Sequence, residues 1–313
     1  MSLLVPTADR RTTCPICACA DLALWVGARS ANDVEVSPLS SELIGSSRRT
    51  VKPVTVARCR DCGLGWQEPV PGAATLLAAY RSMEDPVYGS ENRSRHRTQR
   101  RHLRLLRRHW QTRSPGRLLD IGCSTGLFLD LASLDGWDVW GVEPAEALAS
   151  VARTRHGSRV LRSSFEEASL GAMSFEVVSL WDVLEHVHDP PAFVRRVAEL
   201  LVPGGVLALN VPNLDSLVAR LLRSRWPLLL PEHLYYFTPR SLSRLLAEAG
   251  FTLEASRAHV AQFSLGYVVD RCKQHSIPGS RVAGWILDRT RMRRLSVPLL
   301  MGELTVVARR CHG

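Results

Sequence analysis

From residue 117 to the end of the chain, short apolar runs alternate with amphipathic stretches. The apolar runs predict strands at 117–121, 137–143, 159–161, 175–181, 205–211, 251–256 and 303–308. Stretches with helical periodicity lie between them, near 126–135, 145–156, 190–202 and 239–249. Because short strands that alternate with helices form parallel sheets covered on both faces, this pattern predicts an α/β fold.

The first 75 residues carry two pairs of cysteines with CxxC spacing. The pairs are Cys14 with Cys17 and Cys59 with Cys62. Two residues between thiolates allow one tight turn to point both sulfurs at a single ion, so residues 1–75 are predicted to form a small zinc-ribbon domain. Four thiolates leave no open coordination position, and the predicted zinc is therefore structural. Cys19 is an alternative ligand.

Length and composition indicate the class of protein and its compartment. The chain has 313 residues, of which 45% are hydrophobic and 22% charged, as expected of a globular protein. Its apolar runs are far shorter than the roughly 20 residues that cross a bilayer. The first residues lack the features of a secretory signal, so we expect a cytoplasmic protein whose cysteines bind metal or remain thiols.

The formal net charge of +10 is concentrated in one segment. Residues 92–113 contain nine arginines and no acidic residue, whereas the remainder of the chain is close to neutral. This distribution argues against a protein whose whole surface follows nucleic acid. The arginines are predicted to lie on a helix, where they either face solvent or bind a phosphate-bearing acceptor or RNA.

Residues 118–126, with the sequence LLDIGCSTG, join a predicted strand to a predicted helix through a turn that contains Gly122 and Gly126. Glycines allow a ligand to approach the backbone closely, and the start of the helix offers unpaired N–H groups. Glu143 ends the next predicted strand, where its carboxylate can accept hydrogen bonds from ribose hydroxyls. The turn therefore predicts a nucleoside site. The pattern GxGxxG is absent, which makes NAD the weaker candidate.

From about residue 80 onward the chain resembles the class I S-adenosylmethionine-dependent methyltransferases. The motifs that carry the resemblance are LLDIGCSTG, VWGVEP at 139–144, FEVVSLWDVLEHVHDP at 175–190, LVPGGVLALNVPN at 201–213 and EHLYYFTPRSLSRLLAEAGF at 232–251. RCRDCGLGWQEP at 58–69 also resembles the zinc-ribbon front end of a subgroup of these enzymes. The resemblance implies a Rossmann-like, seven-stranded, mostly parallel sheet in residues 115–313, and S-adenosylmethionine as cofactor.

The resemblance also implies which residues bind the cofactor. Five of them come from the glycine turn and the next strand: Asp120, Gly122, Cys123 and Gly126 around the methionine part, and Glu143 at the ribose. Ser124 stands where the family turn has a glycine, and we expect it in an ordinary backbone region.

Three further residues are candidate cofactor contacts. Phe165 is a candidate for stacking on adenine, and Trp181 ends the strand beside the glycine turn. Tyr88 lies in residues 76–114, which we predict to be an arginine-rich helical connector that also closes over the cofactor.

Methylation of a hydroxyl or a carbon acid requires loss of a proton, which calls for a base or a metal near the methyl group. If residues 181–186 are helical, Asp182, Glu185 and His186 share one face. This set resembles the metal-binding carboxylate-x-x-Glu-His of ubiquinone-pathway O-methyltransferases, with Asp as the first carboxylate, and it implies Mg²⁺. The alternative is that Glu185 and His186 only hydrogen-bond to neighbouring loops and shape the pocket.

His233 is the second candidate for proton removal, in the predicted loop before the helix at 239–249. An imidazole titrates near neutral pH and suits removal of a proton from a hydroxyl. The alternative is a histidine that only anchors the loop.

Two stretches, 214–231 and 258–300, are predicted to be lid insertions in the methyltransferase domain. Helical spacing places apolar residues on one face of the first stretch: Leu214, Leu217, Val218, Leu221 and Leu222. Such a face either covers the acceptor or rests on acidic lipid, and the apolar, arginine-rich stretch 281–300 also suits peripheral membrane contact.

These features together predict an enzyme that methylates a small molecule, a sugar or glycan, a lipid-linked acceptor or a natural product, with oxygen as the expected nucleophile. One alternative is an RNA methyltransferase that binds RNA through the zinc ribbon and the arginine helix. Against it, residues 180–186 are LWDVLEH and not the Asn-Pro-Pro-aromatic motif that resembles exocyclic-amine methyltransferases of nucleic acid. A third class is a non-catalytic binding protein that keeps the cofactor fold.

Overall fold

The computed structural model describes residues 8–27, 54–81, 92–110, 114–274 and 279–312. Five short strands come first: β1 (Ala8–Asp9), β2 (Leu22–Val26), β3 (Val56–Cys59), β4 (Gly65–Gln67) and β5 (Val70–Pro71). Two helices follow, α1 (Ala73–Arg81) and the arginine-rich α2 (Asn92–His109).

The larger part of the chain alternates strands and helices as its sequence pattern predicts. In chain order the elements are β6 (Arg117–Ile121), α3 (Leu127–Leu134), β7 (Asp138–Val142), α4 (Glu146–His156), β8 (Val160–Leu161), β9 (Phe175–Trp181), α5 (Pro190–Leu200), β10 (Leu201–Pro212), α6 (Leu217–Leu222), β11 (Tyr235–Tyr236), α7 (Pro239–Glu248), β12 (Phe251–Ala258), β13 (Ala261–Ser264), α8 (Leu265–Gln274), α9 (Ser280–Thr290), β14 (Ser296–Leu299) and β15 (Glu303–Arg310).

Seven strands form one sheet in the order β12-β15-β10-β9-β6-β7-β8. The neighbours from β10 to β8 pair in parallel, and β15 runs antiparallel to both β10 and β12. The predicted α/β, Rossmann-like, mostly parallel sheet is therefore confirmed. Parallel strands place their carboxyl ends at one edge of the sheet, and this edge carries the candidate site.

Alternate residues of the central strands pack against helices on opposite faces. Leu118 and Val177 belong to a core cluster with α2 and α3, whereas Leu119 and Val178 belong to a cluster with α5 and α7. This alternation follows from the two-residue period of a strand, and it explains why these strands are apolar at nearly every position. Helices thus cover both faces, as predicted. Within the described ranges, no helix combines the length and apolar content of a membrane span.

The cysteine-bearing segment, here called the ribbon, forms a small sheet to which the larger domain adds one strand. The strand order is β11-β4-β3-β2, with Tyr235 paired to Trp66 and Tyr236 paired to Gly65. The Thr238 side chain, which also caps α7, donates from its hydroxyl to the Cys62 carbonyl oxygen at 3.0 Å. A strand contributed by residues 235–236 means that the ribbon and the larger domain share hydrogen bonds as well as apolar contacts.

The two predicted insertions differ in their contacts. The first, 214–231, contains α6 and packs on the ribbon, where Trp226 lies edge-on to Trp25 with ring centroids 6.2 Å apart. In the second, 258–300, helices α8 and α9 come between the antiparallel strands β13 and β14 along the chain, and β13 packs on α2.

Candidate active site

The turn after β6 contains three residues with positive φ: Gly122 at 74°, Ser124 at 51° and Gly126 at 82°. Positive φ is unusual for a residue with a side chain. The prediction that Ser124 occupies an ordinary backbone region is wrong, because the turn requires the left-handed conformation there. The Ser124 hydroxyl is buried and has no hydrogen-bond partner among the described residues, as expected where a polar ligand completes the site.

Protein contacts also require the two glycines. A Cβ at Gly122 would lie 2.6 Å from Cγ2 of Val183, and one at Gly126 would lie 3.1 Å from Cβ of Ala152 in α4. Gly126 therefore allows the start of α3 to approach α4, in addition to leaving the backbone open to a ligand.

Asp120 is 3% exposed near the end of β6, and its Oδ1 accepts a 2.6 Å hydrogen bond from the Ser179 hydroxyl in β9. Burial raises the pKa of Asp120 to about 7; the Glu143 carboxylate also raises it, whereas the Ser179 hydrogen bond lowers it. Asp120 therefore exchanges a proton near neutral pH, and its carboxyl group can both donate and accept.

Glu143 holds the turn from the end of β7. Its Oε2 accepts from the Ser124 N–H at 2.8 Å and its Oε1 accepts from the Ala145 N–H at 2.9 Å. Burial raises the pKa of Glu143, and the two N–H donors lower it. A carboxylate has about four lone-pair positions, so two remain for the hydroxyls of a ribose.

Cys123 and Trp181 also lie beside the turn. Cys123 is 4% exposed, and its sulfur faces Gly141 of β7. The Trp181 ring is stacked on His102 of α2 at a centroid distance of 3.8 Å, and its Nε1 has no partner among the described residues. Through His102, α2 borders the predicted cofactor site.

Phe165 lies in the core, 3% exposed, with its ring 4.7 Å from that of Phe193 and 4.9 Å from the Arg196 guanidinium carbon. Stacking on adenine would require this ring to move. Tyr88 lies outside the described residues.

Asp182 does not share a helical face with Glu185 and His186. It has a φ of 58°, and only a short 3-10 turn, Leu184–His186, follows it. The α-helix on which the predicted face depends therefore does not form. The Asp182 side chain is accessible to solvent.

The structure instead gathers Glu185, His186 and His233, whose ligand atoms all lie within 4.8 Å of one another. Nδ1 of His186 lies 2.8 Å from the Glu232 carbonyl oxygen, and Nδ1 of His233 lies 2.9 Å from that of Leu228. Because a carbonyl oxygen only accepts, both Nδ1 atoms carry hydrogen and each Nε2 keeps a lone pair.

Burial keeps these imidazoles neutral. It lowers the pKa of His186 to about 4 and that of His233 well below its usual value, with the neighbouring His186 as a further cause for His233. Glu185 is 1% exposed, and its Oε2 has no hydrogen-bond partner among the described residues. Burial, followed by the charge of Asp182, raises the pKa of Glu185 well above its usual value. Three groups that can exchange a proton therefore adjoin one another at the carboxyl edge of the sheet.

Two residues of this region escaped the sequence analysis. The Tyr80 hydroxyl in α1 lies 2.6 Å from Nδ1 of His186. Asn210 lies in the middle of the sheet, where its side-chain oxygen accepts a 2.7 Å hydrogen bond from the Thr305 hydroxyl and its nitrogen lies 3.2 Å from Nε2 of His102. A polar residue inside the apolar run at 205–211 was the available signal for Asn210. Tyr80 had none, because its partner is 106 positions away.

The arginines of α2 occupy two environments. Arg101 donates to the Val260 carbonyl oxygen at 3.2 Å and so attaches the second insertion to the helix. Arg100, Arg104 and Arg107 line a groove of about 340 Å³ together with leucines of α2 and α3. The groove reaches Asp135 beyond the end of α3, and α3 begins at the glycine turn, so these three arginines face away from the predicted cofactor site.

The four predicted metal-binding cysteines come together in the ribbon. Sulfur distances are 3.5 Å for Cys14 with Cys62 and 3.4 Å for Cys17 with Cys59, and all four sulfurs lie within 4.8 Å of one another. Four sulfurs at about 2.3 Å from a tetrahedral zinc would be about 3.8 Å apart, so the arrangement fits this ion. The Cys19 sulfur instead accepts from the Asp21 N–H at 3.3 Å.

Comparisons with known proteins identify the family. Residues 93–256, just over half of the chain, match a family model described as a methyltransferase domain. The ubiquinone biosynthesis O-methyltransferase of Azorhizobium caulinodans is 28% identical over 230 residues, which cover 66% of this chain and 84% of that protein. Its counterpart in Aeromonas salmonicida is 29% identical over 188 residues, which cover 53% and 79%.

A solved structure agrees at the level of the fold. The 1,6-didemethyltoxoflavin-N1-methyltransferase of Burkholderia thailandensis, solved with 1,6-didemethyltoxoflavin and S-adenosylhomocysteine, is 18% identical with a TM-score of 0.50. The match covers 84% of this chain and 98% of that one. From the matched domain and the sheet that carries the glycine turn, we conclude that the chain belongs to the methyltransferase domain family and is an S-adenosylmethionine-dependent methyltransferase.

Proposed function

We propose that this protein methylates a hydroxyl group of a small molecule, with His233 as the base. The carrying observation is the pair of neutral imidazoles, His186 and His233, which lie beside Glu185 with one ligand atom of each residue within 4.8 Å of the others, while Oε2 of Glu185 has no hydrogen-bond partner among the described residues. The curated relatives, named as O-methyltransferases, support oxygen as the methylated atom. Sugars, lipid-linked hydroxyls and natural products fall within the same chemistry.

Asp120, Gly122, Cys123, Gly126, Glu143 and Trp181 are the residues that would hold S-adenosylmethionine. When bound, this cofactor supplies a methyl group on a sulfonium, already activated toward a nucleophile. The protein must then align the acceptor and remove its proton. Glu143, with two backbone donors fixed at 2.8 and 2.9 Å, would use its remaining lone pairs to accept hydrogen bonds from the ribose hydroxyls.

The base must be neutral before reaction and must tolerate the proton afterwards. Burial satisfies the first condition for His233. The second condition requires Glu185 in its ionised form, because a carboxylate beside an imidazolium favours the charged form, whereas burial and the charge of Asp182 favour the protonated carboxyl group in the free protein. His186 is held more tightly, between the Tyr80 hydroxyl at 2.6 Å and the Glu232 carbonyl at 2.8 Å, so we assign it to positioning.

The assignment of His233 is tested by His233→Gln, with His312→Gln, at an exposed position after β15, as the matched control. We expect turnover of a hydroxylated acceptor to fall by about a hundredfold or more, the usual contribution of a general base. Calorimetry should give an unchanged affinity for S-adenosylhomocysteine. Full turnover in His233→Gln with intact cofactor binding would exclude His233 as the base.

The predicted Mg²⁺ does not fit the residues that the structure brings together. Mg²⁺ prefers an octahedron of oxygen ligands, whereas Glu185, His186 and His233 offer one carboxylate and two imidazole nitrogens. We therefore propose metal-independent proton removal, with zinc confined to Cys14, Cys17, Cys59 and Cys62 in residues 1–75. Residues 76–114 then connect this ribbon to the catalytic domain.

Metal analysis after dialysis against EDTA tests both parts of this proposal. We expect about one zinc per chain and an unchanged rate, because a closed four-thiolate site releases its ion slowly. Cys59→Ser should remove the zinc and lower the thermal midpoint. A rate that EDTA lowers and added Mg²⁺ restores, while zinc content stays constant, would contradict metal-independent catalysis.

A further inference from the structure

Helix α9 carries large apolar side chains that face solvent. Val282, Trp285 and Ile286 are 61%, 59% and 46% exposed. Their spacing of three and four residues places them on one side of the helix, opposite the buried Gly284 and Leu287. The buried side lies against α8, so the insertion folds without covering the exposed side.

Arginines surround this apolar surface. Residues 279–300 contain five arginines and a single acidic residue, Asp288. Arg293 pairs with Asp288 and with Asp270 of α8. The other four, Arg281, Arg289, Arg291 and Arg294, are exposed. The guanidinium carbon of Arg289 lies 5.0 Å from the centre of the Trp285 ring. Met292 and Leu295, at 44% and 51% exposure, continue the apolar character beyond the helix.

We propose that α9 and residues 291–295, here called the α9 surface, dock on an anionic lipid bilayer. Apolar side chains that include a tryptophan, with arginines beside them, match both the acyl boundary and the phosphate layer of such a membrane. A second copy of the chain fits less well, because a two-fold contact would place the arginines of both copies together. Nucleic acid would match the arginines but leave Val282 and Ile286 in water.

The α9 surface is fixed to the rest of the protein. At the base of the insertion, the Ser296 hydroxyl lies 2.8 Å from that of Ser94 in α2, and the Gln262 N–H donates to the Thr98 hydroxyl at 3.0 Å. Docking of α9 would therefore hold the whole catalytic domain at the membrane. This inference does not depend on the identity of the acceptor.

Co-sedimentation with phosphatidylcholine vesicles, prepared with and without phosphatidylglycerol, tests the proposal on the full-length protein. We expect binding only to the phosphatidylglycerol vesicles, and weaker binding at high salt. Trp285→Ser with Ile286→Ser should weaken it by about tenfold or more, because two large side chains lose their burial. Arg289→Gln should weaken it by about fivefold.

Val151→Ser and Arg153→Gln on α4 are the matched controls, since Val151 is 44% exposed and Arg153 also faces solvent. Both should bind vesicles as the wild type does, and unchanged circular dichroism should show that every variant is folded. Three results would overturn the proposal: no vesicle binding by the wild type, equal binding by the Trp285/Ile286 variant, or a wild-type dimer or RNA complex that this variant abolishes without any change in vesicle binding.

Discussion

Replacing Glu143 by glutamine should weaken cofactor binding and destabilise the turn at the same time. The carboxylate of Glu143 accepts from two backbone N–H groups, at 2.8 Å from Ser124 and 2.9 Å from Ala145. Glutamine keeps one acceptor oxygen and presents an NH₂ group to the other N–H. A buried donor without a partner costs about 1–3 kcal/mol, and a hydrogen bond to a charged acceptor contributes about 1.5–3 kcal/mol.

The buried N–H that loses its acceptor should lower the free energy of unfolding by about 1–3 kcal/mol. Loss of the hydrogen bond between a ribose hydroxyl and the charged carboxylate should reduce the affinity for S-adenosylhomocysteine by about tenfold to a hundredfold. Isothermal titration calorimetry measures the affinity, and urea unfolding of the free protein measures the stability.

Glu146→Gln is the matched control, because Glu146 lies three positions further along the chain and its side chain is 71% exposed. This variant should resemble the wild type in both assays. Wild-type affinity in a folded Glu143→Gln variant would refute the assignment of Glu143 to the ribose.

Two further predictions concern the same turn. Gly126→Ala should lower the free energy of unfolding by about 1–3 kcal/mol, because the new Cβ meets Ala152 at 3.1 Å and φ is 82°. The control is Gly171→Ala, at a φ of 59° with no atom within 4 Å, which should lower the free energy of unfolding by less. Equal losses of stability in the two variants would contradict the packing role of Gly126. Asp120→Asn should become more stable relative to the wild type as pH rises from about 4 to 7. The pKa of Asp120 is about 7 in the folded protein, against an ordinary value of 3.8. Between these values the folded wild type binds the proton and the unfolded chain does not, so the wild type loses up to about 1.4 kcal/mol of stability per pH unit as pH rises. Urea unfolding at both ends of the window measures the difference, and a constant difference would mean that Asp120 titrates normally.

The sequence was most informative where one local signal determines one local structure. Alternation of apolar runs with amphipathic stretches located all seven strands of the sheet, because the central strands are buried on both faces and read as continuous apolar runs. The CxxC spacing likewise located the four cysteines whose sulfurs lie together. In each case a short range of the chain suffices to specify the contact.

The candidate site was predicted less well, because backbone conformation and long-range contacts decide it. The φ of 58° at Asp182 removed the helix that would have aligned Asp182 with Glu185 and His186. Instead His233, 47 positions beyond His186, lies 4.8 Å from it by ring centroids. A pattern confined to one segment cannot reveal a contact between two loops, and it gives no signal for Tyr80.

The shared sheet has a consequence for how the protein can be divided. Tyr236 pairs with Gly65 in the ribbon, and only two residues separate it from His233. A truncated chain that starts after residue 75 would leave β11 without its partner strand and would uncover Tyr235 and Trp226, both now almost fully enclosed. We therefore expect the smallest unit that can be expressed as an active enzyme to include the cysteine-bearing segment. If the proposed zinc holds that segment together, a cell starved of zinc would lose catalysis along with the segment's fold.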